Sequence, residues 1–440
     1  MNIDSLIYTA VFSENAEEKT MARTDIRALA KQQGIFSSSI YPFYMAIGVG
    51  KIAPTFTVPA INIRAMTYDT AAIIFSLMKK HSIGPVVFEI ARSEIEYTDQ
   101  RPDEYAVCVL AGAIKANYQG LVFIQGDHYQ LSKNKYGQDK KAEVEKIKSL
   151  VKESIDADFL NIDIDASTLV DLEKKTQQEQ QETNYNITAE LTVYIRSIEP
   201  KGTTISIGAE IGHIGGKNST PEELKAFMQG YQSQISQLPQ PRLTRSLRAK
   251  RGPLRQSFSE ASNLPGISKI SVQTGTSHGG IPLPDGTMAK VSLDFDVLEK
   301  IGSVAREKYH LGGVVQHGAS TLPQDLFDQF PKHKTLEIHL ATGFQNIVYD
   351  NMPSSLKKEM YTWVEQNLQK EKEEGMSNEQ FIYKTRKKAI GPFKKQLWEL
   401  SAEDKKPIVD NLGKQLEFLF QQLNIVNTRK ILESVIPSKA

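Results

Sequence analysis

The chain has one cysteine in 440 residues, Cys108, so no internal disulfide holds it together. Its place in the apolar run YAVCVLAG reads as a small buried hydrophobe in a reducing cytoplasm. No stretch of about 18 uninterrupted apolar residues is present. The N-terminus carries Asp4, Glu14, Glu17 and Glu18, unlike a signal peptide. Neither a membrane span nor a secretory signal is expected. An excess of one charge is also missing: 53 Lys and Arg stand against 52 Asp and Glu, a formal net charge of +1. That balance argues against a general nucleic-acid binder.

What is present is enough apolar sequence, 40% of the chain, for a real core and a soluble globular fold. From about residue 55 to 345, short β-branched runs alternate with helix-patterned stretches. The runs lie at 56–63, 85–91, 121–125, 159–165, 204–210, 267–273, 312–317 and 335–341. Most are nearly continuous in apolar residues, as parallel strands buried on both faces require. Helices are predicted over 68–80, 102–117, 140–154, 221–233 and 293–309. The clearest start is at Thr220, an N-cap before Pro221, Glu222 and Glu223.

Eight strands alternating with helices predict a (β/α)8 TIM barrel over 51–350. A helical or irregular segment is expected over 1–50 and a helical extension over 351–440. A doubly wound open sheet is the alternative, but the first strand lacks a glycine fingerprint. The segment 174–186 reads as an exposed helix end or loop, and 239–256 as a basic, proline-rich insertion. In the extension, Tyr361, Trp363, Phe393, Trp398, Phe418 and Phe420 either form an interface or cover the barrel.

Strand C-terminal ends converge on one rim of a barrel, and ionisable residues fall there repeatedly. Asp127 and His128 follow strand three, Asp165 ends strand four and Glu210 ends strand five. His278 follows strand six, His317 ends strand seven and His339 lies on strand eight. Three histidines with nearby carboxylates suit a catalytic zinc site, since three protein ligands leave one position open. Cobalt or manganese suits the same donors. Small residues beside them (Gly279, Gly280, Gly318, Ala319, Ser320, Thr342 and Gly343) let backbone N–H groups approach a phosphate closely.

In order along the chain, VPAINI, GDH, AEIGHIGG, GTSHGG, HGAST and LATG resemble the motifs of class II (zinc-dependent) fructose-bisphosphate and tagatose-bisphosphate aldolases. The resemblance implies His128, His278 and His317 as zinc ligands and Asp127 as the acid/base at the substrate C4 hydroxyl. Asp165 and Glu210 would hold a second or displaced metal. Asn62 would face the substrate. Gly279, Gly318, Ser320 and Thr342 would line the phosphate and monovalent-cation site. It further implies reversible cleavage of fructose 1,6-bisphosphate, through a zinc-stabilised enediolate, to dihydroxyacetone phosphate and glyceraldehyde 3-phosphate. A glycolytic role and a homodimer or larger homo-oligomer follow from it too.

Tagatose bisphosphate or another ketose phosphate is the alternative substrate, and a non-catalytic barrel subunit that stabilises an aldolase is the alternative role. A metal-dependent hydrolase would want a His-x-His pair on strand one, which AINIR lacks. Several positions depart from the family pattern. His339 stands where it has a substrate-binding Asn, and Gln125 where it has a His. The loop 217–220 lacks the usual carboxylate, leaving His213, Glu222 or Glu223 to substitute. The serine after strand two becomes Ala91 or Ser93.

Overall fold

Apolar runs that cannot face water on either side become the inner wall of a closed sheet. A computed structural model describes residues 2–212, 217–239, 264–275, 293–319 and 322–437. Its strands are β1 (Ile35–Ser37), β2 (Val58–Asn62), β3 (Val87–Ala91), β4 (Gly120–Gln130), β5 (Asn161–Asp165), β6 (Ser206–Glu210), β7 (Lys269–Val272), β8 (Val314–Gln316) and β9 (Glu337–Leu340). Strands β2 to β9 pair in parallel with their sequence neighbours, and β2 pairs with β9 to close the ring. This is the predicted eight-stranded (β/α)8 barrel. All eight predicted runs form its strands.

The ninth strand was not foreseen. β1 pairs with Gly120–Val122, the start of β4, which β5 joins only from Gln125 onward. Asn161 seals the step. Its Oδ1 accepts from Ile40 N at 2.9 Å, and its Nδ2 donates to Ile124 O at 3.0 Å. A three-residue strand supplies the backbone partners that β4 would otherwise lack.

The predicted helices form at Thr67–Lys80, Pro102–Lys115, Lys140–Asp156, Pro221–Gln237 and Phe295–Tyr309. Thr220 caps its helix as expected: Oγ1 accepts from Glu223 N, and Glu223 Oε2 accepts from Thr220 N at 2.9 Å. A long helix was missed. Glu182–Ile198 begins inside the polar stretch 174–186, and its buried face (Ile187, Leu191, Ile195) lies beyond it. No helix among the described residues is long and apolar enough to cross a membrane.

The C-terminal helices cover the barrel. Trp398 stacks on Tyr68 and meets Phe12 edge-on. Phe420 is fully buried, while Tyr361, Trp363, Phe393 and Phe418 pack against the core of their own chain.

Candidate metal centre

The site is built around an irregularity in β4. Its register with β5 shifts between Gly126 and Tyr129, and His128 takes φ 41°, a left-handed conformation that a histidine adopts at a cost. Gly126 makes the bend sterically possible, since a Cβ there would lie 2.3 Å from Tyr129 Cζ. The bulge aims Asp127 and His128 into the mouth of the barrel together, where a regular strand would point them to opposite faces.

The other rim residues meet them there. His128 Nδ1 lies 3.0 Å from Asp165 Oδ2 and 3.4 Å from Glu210 Oε2. The rings of His128 and His317 have centroids 4.1 Å apart, and His317 Nε2 sits 3.0 Å from Ser271 Oγ. Donor atoms of His128, Glu210 and His317 all lie within 4.8 Å of one another, a grouping compatible with one small cation. The C-terminal ends of four different strands, β4, β5, β6 and β8, thus supply one cluster. His278, expected with them, lies outside the described residues, as do Gly279, Ser320, His213 and the insertion from 240 to 256.

The electrostatics fit a cation. Burial disfavours a charged His128 ring, but the carboxylates of Asp127, Asp165 and Glu210 outweigh it and raise its pKa well above the ordinary value. Burial, with the Asp165 charge beside it, pushes Glu210 up to about 7. Burial also acts to raise Asp165, but His128, Ser167 and Gln130 hold it below the usual range. No lysine or arginine among the described residues pairs with Asp165 or Glu210. Protons therefore hold this acidic pocket together, and a divalent cation would displace them.

The model of the class-II fructose-bisphosphate aldolases matches residues 53–398. The chain belongs to that family. No curated protein matches it. Solved structures of similar fold include a probable tagatose 6 phosphate kinase from Sinorhizobium meliloti 1021 (11% identity, 87% of this chain and 100% of the other, TM-score 0.52). Others are the fructose-bisphosphate aldolase of Campylobacter jejuni (16%, 90% and 96%, 0.47) and the YdjI aldolase of Escherichia coli K12 (12%, 84% and 100%, 0.43). At 11% identity the likeness to the first of these bears on the fold alone.

Around this cluster, Asp127 is held from both sides. Asn62 Nδ2 donates to its Oδ2 at 3.0 Å, and His339 Nδ1 lies 3.1 Å from its Oδ1. The other His339 nitrogen, Nε2, lies 2.7 Å from Glu337 Oε1. Carboxylate oxygens only accept, so a ring bonded on both sides carries two protons. Burial opposes that charge, but Glu89 and Asp127 raise the His339 pKa well above its usual value.

Below lies a charged belt that sequence reading missed. Lys269 is wholly buried; its Nζ donates to Gln125 Oε1 at 2.8 Å, pairs with Asp163 at 2.9 Å and bonds Glu337. Gly208 leaves the space, since a Cβ there would lie 2.3 Å from Asp163 Oδ1 and 2.9 Å from Lys269 Cε. Glu337 opposes its own burial through Lys269 and His339 and titrates at about 2, whereas burial and Asp127 push Glu89 to about 8. The signal was an ionisable residue in mid-run among apolar neighbours: Glu89 in VVFEIA, Asp163 in NIDID, Lys269 in SKISV and Glu337 in LEIHL.

A cleft of about 330 Å³ opens over the centre, lined by Asn62, Asp127, His128, His317, Gly318, His339 and Thr342 among others. Gly318 takes φ 71°, and Thr342 opens the helix Thr342–Asn351. Ala91 and Ser93 both line it. The carboxylates offered as loop substitutes do not: Glu223 is spent on Thr220 and Lys217, and Glu222 pairs with Lys225.

Proposed function

We propose that the protein is a metal-dependent aldolase that reversibly cleaves fructose 1,6-bisphosphate into dihydroxyacetone phosphate and glyceraldehyde 3-phosphate. The observation that carries this reading is Asp127, a buried carboxylate beside the His128, Glu210 and His317 cluster. His128 and His317, with His278, would hold the cation, and Asp165 and Glu210 offer it an alternative position. Zinc or another divalent ion held there supplies Lewis-acid stabilisation of the negative charge left on the three-carbon fragment.

The protein's own groups do the rest. Asp127 removes the proton from the C4 hydroxyl as the C3–C4 bond breaks and returns it in the reverse direction. Asn62 and His339 position it, each bonded to one carboxylate oxygen. Two donors to its carboxylate favour the ionised form, the form that a base needs. Gly318 and Thr342, with Gly279 and Ser320, would hold the phosphate on the three-carbon fragment, with a monovalent cation. No lysine Schiff base is required. The barrel, 51–350, carries the chemistry, in a homodimer or larger homo-oligomer in the cytoplasm.

Fructose and tagatose bisphosphates differ in configuration at C4, the carbon that Asp127 serves, so steady-state rates on both decide the sugar. The reading as a whole is tested by metal analysis together with triose-phosphate release from fructose 1,6-bisphosphate. The wild type should bind a divalent ion and release triose phosphate, and a chelator should abolish the activity. His317→Ala should lose both metal and activity. Metal-free, inactive wild-type protein would instead favour a stabilising subunit.

A further inference from the structure

The charged belt reaches Asp127 through one side chain, His339. Gln125 and His339, two of the positions that depart from the family pattern, both bond to it. The proposed reaction uses His339 but gives the groups beneath it no role.

Glu337 is the group on which His339 rests. Its Oε1 accepts from His339 Nε2 at 2.7 Å and from Lys269 Nζ, and its Oε2 accepts from Tyr44 Oη. Tyr44, from the helix Tyr41–Gly48, is fully buried, as are Lys269 and Glu337. On β9, Glu337 is in register with Val58 of β2 and Val315 of β8. Strand pairing on both sides and donors on both oxygens fix this carboxylate in place.

An imidazole has more freedom. A single hydrogen bond at Nδ1 leaves the ring plane and the tautomer open. A carboxylate at the opposite nitrogen closes both choices, because it can only accept. The choice matters here, since two acceptors stand at Nδ1: Asp127 Oδ1 and Glu89 Oε1, each 3.1 Å away. The hydrogen bond goes to Asp127, and Glu89 Oε1 receives none from the described residues. The tilt of the ring decides which carboxylate is served, and Glu337 sets the tilt.

We propose that Glu337 is a positioning residue for the reaction: it fixes the His339 ring and, through that ring, the direction of the Asp127 carboxylate. Glu337 itself does not touch substrate. This rests on the aldolase reading, and the test separates the two. kcat and KM for fructose 1,6-bisphosphate are measured in wild type, Glu337→Gln, His339→Asn and the double variant. Asparagine carries its amide nitrogen where histidine carries Nδ1, so His339→Asn keeps a donor for Asp127 and cuts the link to Glu337. Glu337→Gln exchanges a charged acceptor for a neutral one of equal size, and kcat should fall about tenfold with KM unchanged. In the His339→Asn background the same change should cost about twofold or less.

A second readout does not need turnover. In NMR spectra of protein labelled on its histidine nitrogens, Glu337→Gln should shift the His339 Nδ1–H signal, which His339→Asn identifies by its loss. Equal losses of kcat in both backgrounds, no loss, or an unmoved signal overturns the positioning role and leaves the aldolase standing. If Glu337→Gln does not fold, Tyr44→Phe takes its place, with a loss of about threefold and the same dependence on His339. If the wild type cleaves no sugar, the aldolase reading fails and the ring signal alone decides. A shift then supports the fixing of the ring by Glu337, and no shift overturns it.

Discussion

Two clusters of buried charge sit one above the other in this barrel, and they are balanced differently. In the interior belt, Lys269 is a resident cation for Asp163 and Glu337. At the rim, Asp165 and Glu210 face His128 with no lysine or arginine of the described residues beside them. A buried carboxylate is costly unless something positive compensates it. The belt carries its compensation in the chain, covalently and at every pH where lysine is charged. The rim depends on protons or on an ion from solution. That difference separates a structural charge cluster from a site that recruits a cofactor.

The sharpest break between the two should come from Asp127. Asp127→Ala removes the proposed base but none of the clustered donors His128, Glu210 and His317. Turnover should fall by roughly 10²–10⁴ while metal analysis still finds the divalent ion. Loss of metal together with activity would make Asp127 a ligand and end its role as base.

Lys269→Met tests the other cluster. It strands Asp163 and Glu337 without their cation, and breaking a buried pair in this way costs about 3–5 kcal/mol. Denaturant unfolding should show that loss, while the folded fraction keeps its metal. A variant as stable as wild type would show that the belt reorganises or protonates at little cost.

The smallest effect separates the clusters by pH. In the metal-free protein, Glu210 titrates at about 7 and Glu89 at about 8, both above their unfolded values, and His128 and His339 are raised as well. The folded state therefore holds protons that the unfolded chain releases. Stability from these groups is fully present below the unfolded carboxyl value of 4.5 and is lost as pH rises from there to about 8. The melting temperature of metal-free protein should fall by a few degrees across that window, and added divalent metal should reverse the fall. A flat profile would show that the rim does not rely on protons. In Lys269→Met, Asp163 and Glu337 would need protons too, so the fall should steepen.

Much of this was legible in advance, for identifiable reasons. The eight barrel strands announce themselves because a wall buried on both faces must be apolar nearly throughout. Asp165, Glu210, His317 and His339 were placed at the rim because parallel strands all end on the same side. β1 was not legible: IFS is too short to carry a period, and its role is to complete β4. The helix Glu182–Ile198 was hidden because its first turns are polar. Glu222 and Glu223 were read as possible loop carboxylates, but a capping box uses Glu223 locally, and Glu222 pairs with Lys225.

The order of strands, the family and the residue types at each strand end are properties of the chain read in one dimension, because burial imposes a pattern on local sequence. Which of those residues meet, and with what charge left over, depended on three dimensions. The bulge at Asp127–His128 turns two side chains to one face, Gly208 admits Lys269 beside Asp163, and Lys269 meets Glu337 beneath His339. Each is a steric or electrostatic fit between segments far apart in the chain, and no local pattern encodes such a fit.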